Sequence, residues 1–139
     1  MGQDDCSEEQ VINCLKAAGA DFMGDGTGGE LDFFIQDQGS NLSGGQKQAV
    51  MMARALAFNP DVYLFDEPTS AMDGLTEAQI INHLTSHLAG KTLLIVTHKM
   101  PVVDMCNRVL VMDKGKIVGD GSKESYFDIL KKRSEQRQN

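Results

Sequence analysis

The stretch Asn41-Leu42-Ser43-Gly44-Gly45-Gln46 constrains this chain most, because it opens a helix and leaves that helix's first turn bare. Ser43 stands where an N-cap belongs. Beyond it Ala49, Met52, Ala53, Leu56 and Ala57 recur at helical spacing until Asn59-Pro60 stops the run. The adjacent glycines let the backbone curl tightly, with no Cβ to obstruct a ligand. A helix start combines unpaired N–H groups with the positive end of the dipole, so it suits an anion, phosphate above all. Taken alone, Ser-Gly-Gly is far more often an ordinary loop or cap than a ligand site.

Two apolar runs give the second constraint. Val62 to Phe65 is continuous and rich in strand formers, as expected of a parallel strand buried on both faces. It ends at Asp66-Glu67-Pro68, and open α/β sheets gather ligand chemistry at the carboxyl ends of their strands. Thr92 to Val96 is a second such strand, ending at Thr97-His98. Between them Thr76 to Leu88 carries Ile80, Ile81, Leu84 and Leu88 on one face, an amphipathic helix. His83 and His87 lie on it at a metal-compatible spacing, but no further ligand completes a site, so they read as solvated or half-buried.

The flanks are simpler. Ser7-Glu8-Glu9-Gln10 is a capping box ahead of Val11, Ile12, Leu15 and Ala18, with Gly19 as the stop. The glycine-rich loop with Gly24, Gly26, Gly28 and Gly29 is followed by no Gly-Lys-Ser/Thr, so it does not read as a phosphate cradle. Gln36 to Ser40 is a polar turn. A short helix follows Pro101, then the strand Arg108–Met112. Asp113-Lys114-Gly115 turns the chain into Lys116-Ile117-Val118, a hairpin with Gly115 left-handed. A last helix from about Lys123, with Tyr126, Phe127, Ile129 and Leu130 on its apolar face, runs into a polar tail at Lys131 to Asn139. No internal repeat and no domain boundary stands out.

Charge and composition exclude several classes. A formal net charge of -7 argues against a nucleic-acid surface. No apolar run approaches the roughly 18 residues that span a bilayer, and the acidic amino terminus does not read as a signal peptide. Cys6, Cys14 and Cys106 show no metal or disulfide spacing and read as reduced, cytosolic and structural. Met51 and Met52, on the packed helix, read as core filling.

In order and separation, Leu42-Ser43-Gly44-Gly45-Gln46, Val62 to Pro68, Ser70-Ala71-Met72-Asp73 and Leu93 to His98 resemble the second half of an ABC-type ATPase. They are similar to its signature motif, its Walker B strand with the catalytic glutamate, its D-loop and its switch histidine. The fold implied is α/β, a partial P-loop NTPase-type parallel sheet with flanking helices, a helical subdomain segment, and a carboxyl-terminal β-hairpin plus helix. Residues 1–60 would be the helical subdomain segment with the signature, and residues 61–139 the Walker B, D-loop, H-loop and carboxyl-terminal elements.

The resemblance implies ATP and Mg²⁺ as cofactors. Asp66 would hold Mg²⁺ through a bound water, and Glu67 would be the general base for the attacking water. His98 would sense the γ-phosphate. Ser43, Gly44, Gly45 and Gln46 would bind the nucleotide held by a second nucleotide-binding domain in a head-to-tail dimer, and Asp73 would communicate across it. The Gln36–Ser40 segment stands where exporters of this family touch their transmembrane domain. Asp37 and Gly39 match that pattern, and Gln36 and Gln38 depart from it. The lean is toward peptide and protein secretion exporters, at the cytoplasmic face of the membrane.

No G-x-x-x-x-G-K-S/T loop occurs in these 139 residues, and no adenine-stacking aromatic or glutamine loop (Gln3 lies too far toward the first helix). The expectation is therefore a carboxyl-terminal portion of the domain, inactive alone, whose amino-terminal half with Walker A lies elsewhere. It would come from a truncated gene, a split gene or a deliberately shortened chain. Alternatives are a non-catalytic module supplying the signature in trans and a non-functional remnant. An ABC ATPase outside transport is disfavoured, because no heptad-bearing coiled coil is attached.

Overall fold

A computed structural model describes residues 6–23, 31, 33–126 and 128. The glycine-rich loop at Gly24–Gly29, Gln3, the last helix's Phe127, Ile129 and Leu130, and the tail lie outside the described residues. The chain forms two compact units, one through His98 and one from Lys99.

In the first unit, helix α1 (Glu8–Ala17) begins at Ser7, whose hydroxyl accepts from the Gln10 N–H while the Gln10 side chain accepts from the Ser7 N–H. The expected capping box is formed, and Gly19 ends the helix at φ 72°. Helix α2 (Gly44–Ala57) repeats the device with Ser43 and Gln46. It stops at Asn59, which is left-handed at φ 44°. Helix α1 packs on α2 and on helix α3 (Gly74–His87). Leu15, Ala17, Ala49, Met52, Ala53, Leu56, Ile80 and Leu84 are buried. Fully burying a side chain such as Leu56 or Ile80 is worth about 1.5–3 kcal/mol. Small residues on α1 and α2 let the backbones approach. Met52 fills the core as expected, but Met51 is 71% exposed, since it falls one position off the apolar stripe.

Strands β1 (Val62–Asp66) and β2 (Thr92–Val96) pair in parallel, with α3 as the crossover. Helix α3 starts at Gly74, two residues before its apolar pattern. The expectation that both strands are buried on two faces is corrected. Exposure alternates along them: Tyr63 and Phe65 are buried, while Val62, Leu64, Leu94 and Val96 on the other face are open. A continuous apolar run satisfies either arrangement, and only the layers present decide between them. Among the described residues β2 pairs with β1 alone.

The segment before α2 is tied down locally. Asn41 accepts from the Gln36 N–H at 3.0 Å and donates to the Phe34 carbonyl at 2.9 Å, while Ser40 donates to the Gln36 side chain. A single 3₁₀ turn at Asp37–Gly39, left-handed at Gln38 and Gly39, lies between them. Phe22 and Phe33 meet edge to face, centroids 5.5 Å apart.

In the second unit, helix α4 (Met100–Val103) carries Pro101 in its first turn, so it starts before that proline and not after it. Strands β3 (Arg108–Asp113) and β4 (Lys116–Ser122) form the expected hairpin, its loop left-handed at both Lys114 and Gly115. Arg108 grips Asp120 diagonally across the ladder with two hydrogen bonds, of 2.8 and 2.7 Å. A 3₁₀ turn at Lys123–Ser125 follows. Among the described residues no helix is long and apolar enough to cross a membrane.

Candidate functional site

The parallel pair determines where the carboxylates go. Asp66 pairs with Val96 at the last rung, and the Glu67 N–H then donates to the Val96 carbonyl at 2.8 Å. Both strands thus end together, and Glu67, Thr97 and His98 leave the sheet side by side. Glu67 lies at φ 47°, a left-handed conformation uncommon for a residue with a side chain. Holding it there costs on the order of 1–3 kcal/mol, a cost that concentrates at functional sites. The result is a contact: His98 Nδ1 is 2.6 Å from Glu67 Oε1, and the Thr97 hydroxyl donates to Glu67 Oε2 at 3.5 Å. The His98 side chain is 78% exposed, so the pair adds little to stability. Its effect is to aim the Glu67 carboxylate. Asp66 is exposed beside it.

Ser43, Gly44, Gly45 and Gln46 form the first turn of α2, and their groups divide into spent and open. The Gln46 N–H is taken by the Ser43 hydroxyl and the Gln46 side chain by the Ser43 N–H. The N–H groups of Gly44 and Gly45 have no acceptor within the helix. Ser43, Gly45 and Gln46 line a pocket of about 170 Å³ together with Ala71, Met72, Asp73 and Thr76. The glycines have a further reason here. A Cβ on Gly45 would stand 3.0 Å from the Ala71 carbonyl oxygen, and one on Gly44 would stand 3.3 Å from the Ala71 Cβ. The helix start packs directly on the Ser70–Asp73 segment.

Asp73 caps α3. Its carboxylate accepts from the Leu75 and Thr76 N–H groups at 3.0 Å each and from the Thr76 hydroxyl at 2.7 Å. Those bonds, the Thr76 backbone first, hold its carboxyl below the usual aspartate range. Behind the turn, Thr69 donates to Glu77, and both are buried. His83 turns away, with Nδ1 3.2 Å from the Lys16 carbonyl oxygen. The cysteines are free, and burial pushes the Cys14 and Cys106 thiols up, away from the reactive thiolate.

Residues 7–70 match the family model described as ABC transporter. The chain belongs to that family. It is 41% identical over 116 residues to the alpha-hemolysin translocation ATP-binding protein HlyB of Escherichia coli, a match over 83% of this chain and 16% of HlyB. It is 40% identical to the leukotoxin translocation ATP-binding protein LktB of a Pasteurella haemolytica-like species, with the same coverage. It is 39% identical to ABC transporter B family member 15 of Arabidopsis thaliana, over 89% of this chain and 10% of that one. The structure of a bacterial Atm1-family ABC exporter with ATP bound superposes with a TM-score of 0.80 at 30% identity, covering 96% of this chain and 25% of the exporter. The chain therefore spans about a sixth or less of the curated relatives it matches. Its α/β fold is that of an ABC exporter's ATP-binding portion.

The structure brings Asp66, Glu67 and His98 to one end of the sheet, and Ser43, Gly45, Gln46 and Asp73 to one pocket. Sequence reasoning missed two roles. The capping by Asp73 was legible, since an aspartate before Gly74-Leu75-Thr76 is an N-cap signature. The second is Gln48, which no local pattern marks. It donates to the Glu67 carbonyl at 3.3 Å and the Ser70 hydroxyl at 2.7 Å, and accepts from the Ala71 N–H at 3.0 Å.

Proposed function

We propose that this chain is the carboxyl-terminal portion of an exporter's ATP-hydrolysing domain, with Glu67 as the base that orients and deprotonates water. The observation that carries this reading is the Glu67–His98 contact at the shared end of β1 and β2. A base must be fixed before it can align a nucleophile, and His98 and Thr97 hold both oxygens of this carboxylate. Asp66 would be the residue that holds Mg²⁺. One exposed carboxylate is a hard oxygen ligand and suits an ion that takes few ligands from the protein. When bound, that ion would supply charge neutralisation on the nucleotide's phosphates. Ser43, Gly44 and Gly45 offer a hydroxyl and two N–H groups to the γ-phosphate of a nucleotide held by a second domain, head to tail, while Gln46 keeps Ser43 in place. Asp73, as the cap of α3, holds the segment that faces the second domain.

The whole protein's partners follow from the same reading. A transmembrane domain contacts the Gln36–Ser40 turn at the cytoplasmic face of the membrane, and the names of HlyB and LktB suggest translocated polypeptide cargo.

Two experiments test this in the complete domain, with this chain behind an amino-terminal half bearing a Gly-Lys-Ser/Thr loop. Glu67→Gln keeps ATP binding and lowers turnover by about 10²–10⁴-fold, because the amide fits the space but is no base. Near-normal turnover would place the base elsewhere. Ser43→Arg blocks closure of the ATP-locked pair, read by size-exclusion chromatography.

The 139 residues alone bind Mg-ATP feebly and do not turn it over. One exposed helix start contributes only about 0.3–1 kcal/mol to an anion, against the roughly 8 kcal/mol of micromolar affinity. A micromolar dissociation constant by calorimetry contradicts this.

A further inference from the structure

We propose that Gln48 is a positioning residue that couples the first turn of α2 to the catalytic turn of the same chain. The inference rests on the reading of Glu67 as the base. It begins with the identity of the side-chain atoms. The Ala71 N–H needs an acceptor, which assigns the carbonyl oxygen of the Gln48 amide to it at 3.0 Å. The amide nitrogen is then left facing two acceptors, the Glu67 carbonyl at 3.3 Å and the Ser70 hydroxyl at 2.7 Å. One planar group therefore ties together three residues of the Glu67–Asp73 turn, from a helix 19 to 23 positions earlier in the chain.

The tie is short because the helix start lies against the same turn. Gly44 and Gly45 approach Ala71 so closely that any Cβ on Gly45 would press on its backbone oxygen at 3.0 Å. Gln48 lies one helical turn further on, half-buried, so the glycine contact and the amide bridge form one clamp. The bond that matters is the one to Glu67. That residue is held left-handed, and its carbonyl is otherwise engaged by the Ser70 N–H at 3.2 Å. A displacement of the α2 start therefore reaches the Glu67 backbone through Gln48, and with it the carboxylate that meets His98 at 2.6 Å.

The consequence is directional. The α2 start faces a nucleotide held by the other domain, whereas Glu67 acts on the nucleotide of its own. Gln48 joins the two within one chain, so filling one site sets the base of the other.

The test uses the complete domain. Gln48→Met keeps length and packing and removes all three hydrogen bonds. Gln48→Glu keeps an acceptor for the Ala71 N–H but has no donor for the Glu67 carbonyl. Expected for Gln48→Met is a kcat about 10- to 100-fold lower, the scale of a small misplacement at a reacting centre, with KM for ATP within about threefold of wild type. Amide exchange by mass spectrometry should quicken across residues 67–73 and stay unchanged in α1 and β2. Gln48→Glu should restore slow exchange at Ala71 while kcat stays low. Wild-type turnover and exchange in Gln48→Met overturn the coupling. So does faster exchange spread over α1, α2 and both strands, which marks a merely structural residue. Glu67→Gln run beside them separates the two ideas: if it hydrolyses ATP normally, the assignment of the base fails. If it is inactive while Gln48→Met is normal, only the coupling fails.

Discussion

Glycine at positions 44 and 45 would, under the proposed function, let a phosphate come close, and it does let Ala71 come close. The second can be measured without nucleotide. Gly45→Ala places a methyl group 3.0 Å from the Ala71 carbonyl oxygen, and backbone cannot swing aside as a side-chain tip can. Overpacking of this kind typically costs about 1–3 kcal/mol. Gly74, at the start of α3, meets nothing within 4 Å and is not left-handed. Gly74→Ala should therefore be neutral or stabilising by up to about 1 kcal/mol, since it restricts only the unfolded chain. Urea midpoints of both variants in the complete domain check the contrast, and equal midpoints would show that α2 does not seat on Ala71.

Helix starts carry the local architecture of the first unit, and each is capped by its own chemistry. Ser7 and Ser43 use reciprocal capping boxes, and Asp73 uses a carboxylate. Only the last depends on pH. Hydrogen bonds from Thr76 depress the folded-state pKa of Asp73, so between the folded and unfolded values the unfolded chain binds more protons. Stability from this cap is complete above the ordinary aspartate range and is lost as pH falls through the lower folded value. Asp73→Asn caps nearly as well without a charge. Its unfolding midpoint should vary less between pH 6 and about 3 than wild type's, an acid interval bracketing the ordinary aspartate value. Parallel curves for the two proteins, followed by circular dichroism, would remove Asp73 from the acid response.

Across the whole molecule the outstanding feature is apolar surface. Val62, Leu64, Leu94 and Val96 share one face of the parallel pair and are 54–68% exposed. In the described residues β2 has a partner on one side alone, and a long apolar edge invites pairing with another chain. The 139 residues alone should aggregate or remain molten at micromolar concentration, with relief when an amino-terminal half is added in trans. The helix at Gly44–Ala57 and the hairpin at Lys114-Gly115 are specified locally and persist longest. Near-ultraviolet circular dichroism and light scattering on heating decide this: a monodisperse monomer with one sharp transition would falsify it.

What the residues determined by themselves is local or periodic. The caps at Ser7 and Ser43, the stops at Gly19 and Asn59, the helical faces, the two apolar strand segments and the hairpin at Gly115 all follow from side chains within a turn or two of each other. The family was legible as well, through the resemblance of Leu42–Gln46, Val62–Pro68, Ser70–Asp73 and Leu93–His98 to its motifs. Tertiary structure decided what depends on contacts between distant positions. An apolar run such as Val62–Phe65 has the same composition whether one face or two are covered, so the open face was not legible. The Glu67–His98 contact joins residues 31 apart, and the Gln48 bridge joins residues 19 to 23 apart. Those geometries exist only once the parallel register and the seating of α2 on Ala71 bring the groups within hydrogen-bond range, where a few tenths of an ångström decide whether a bond is made.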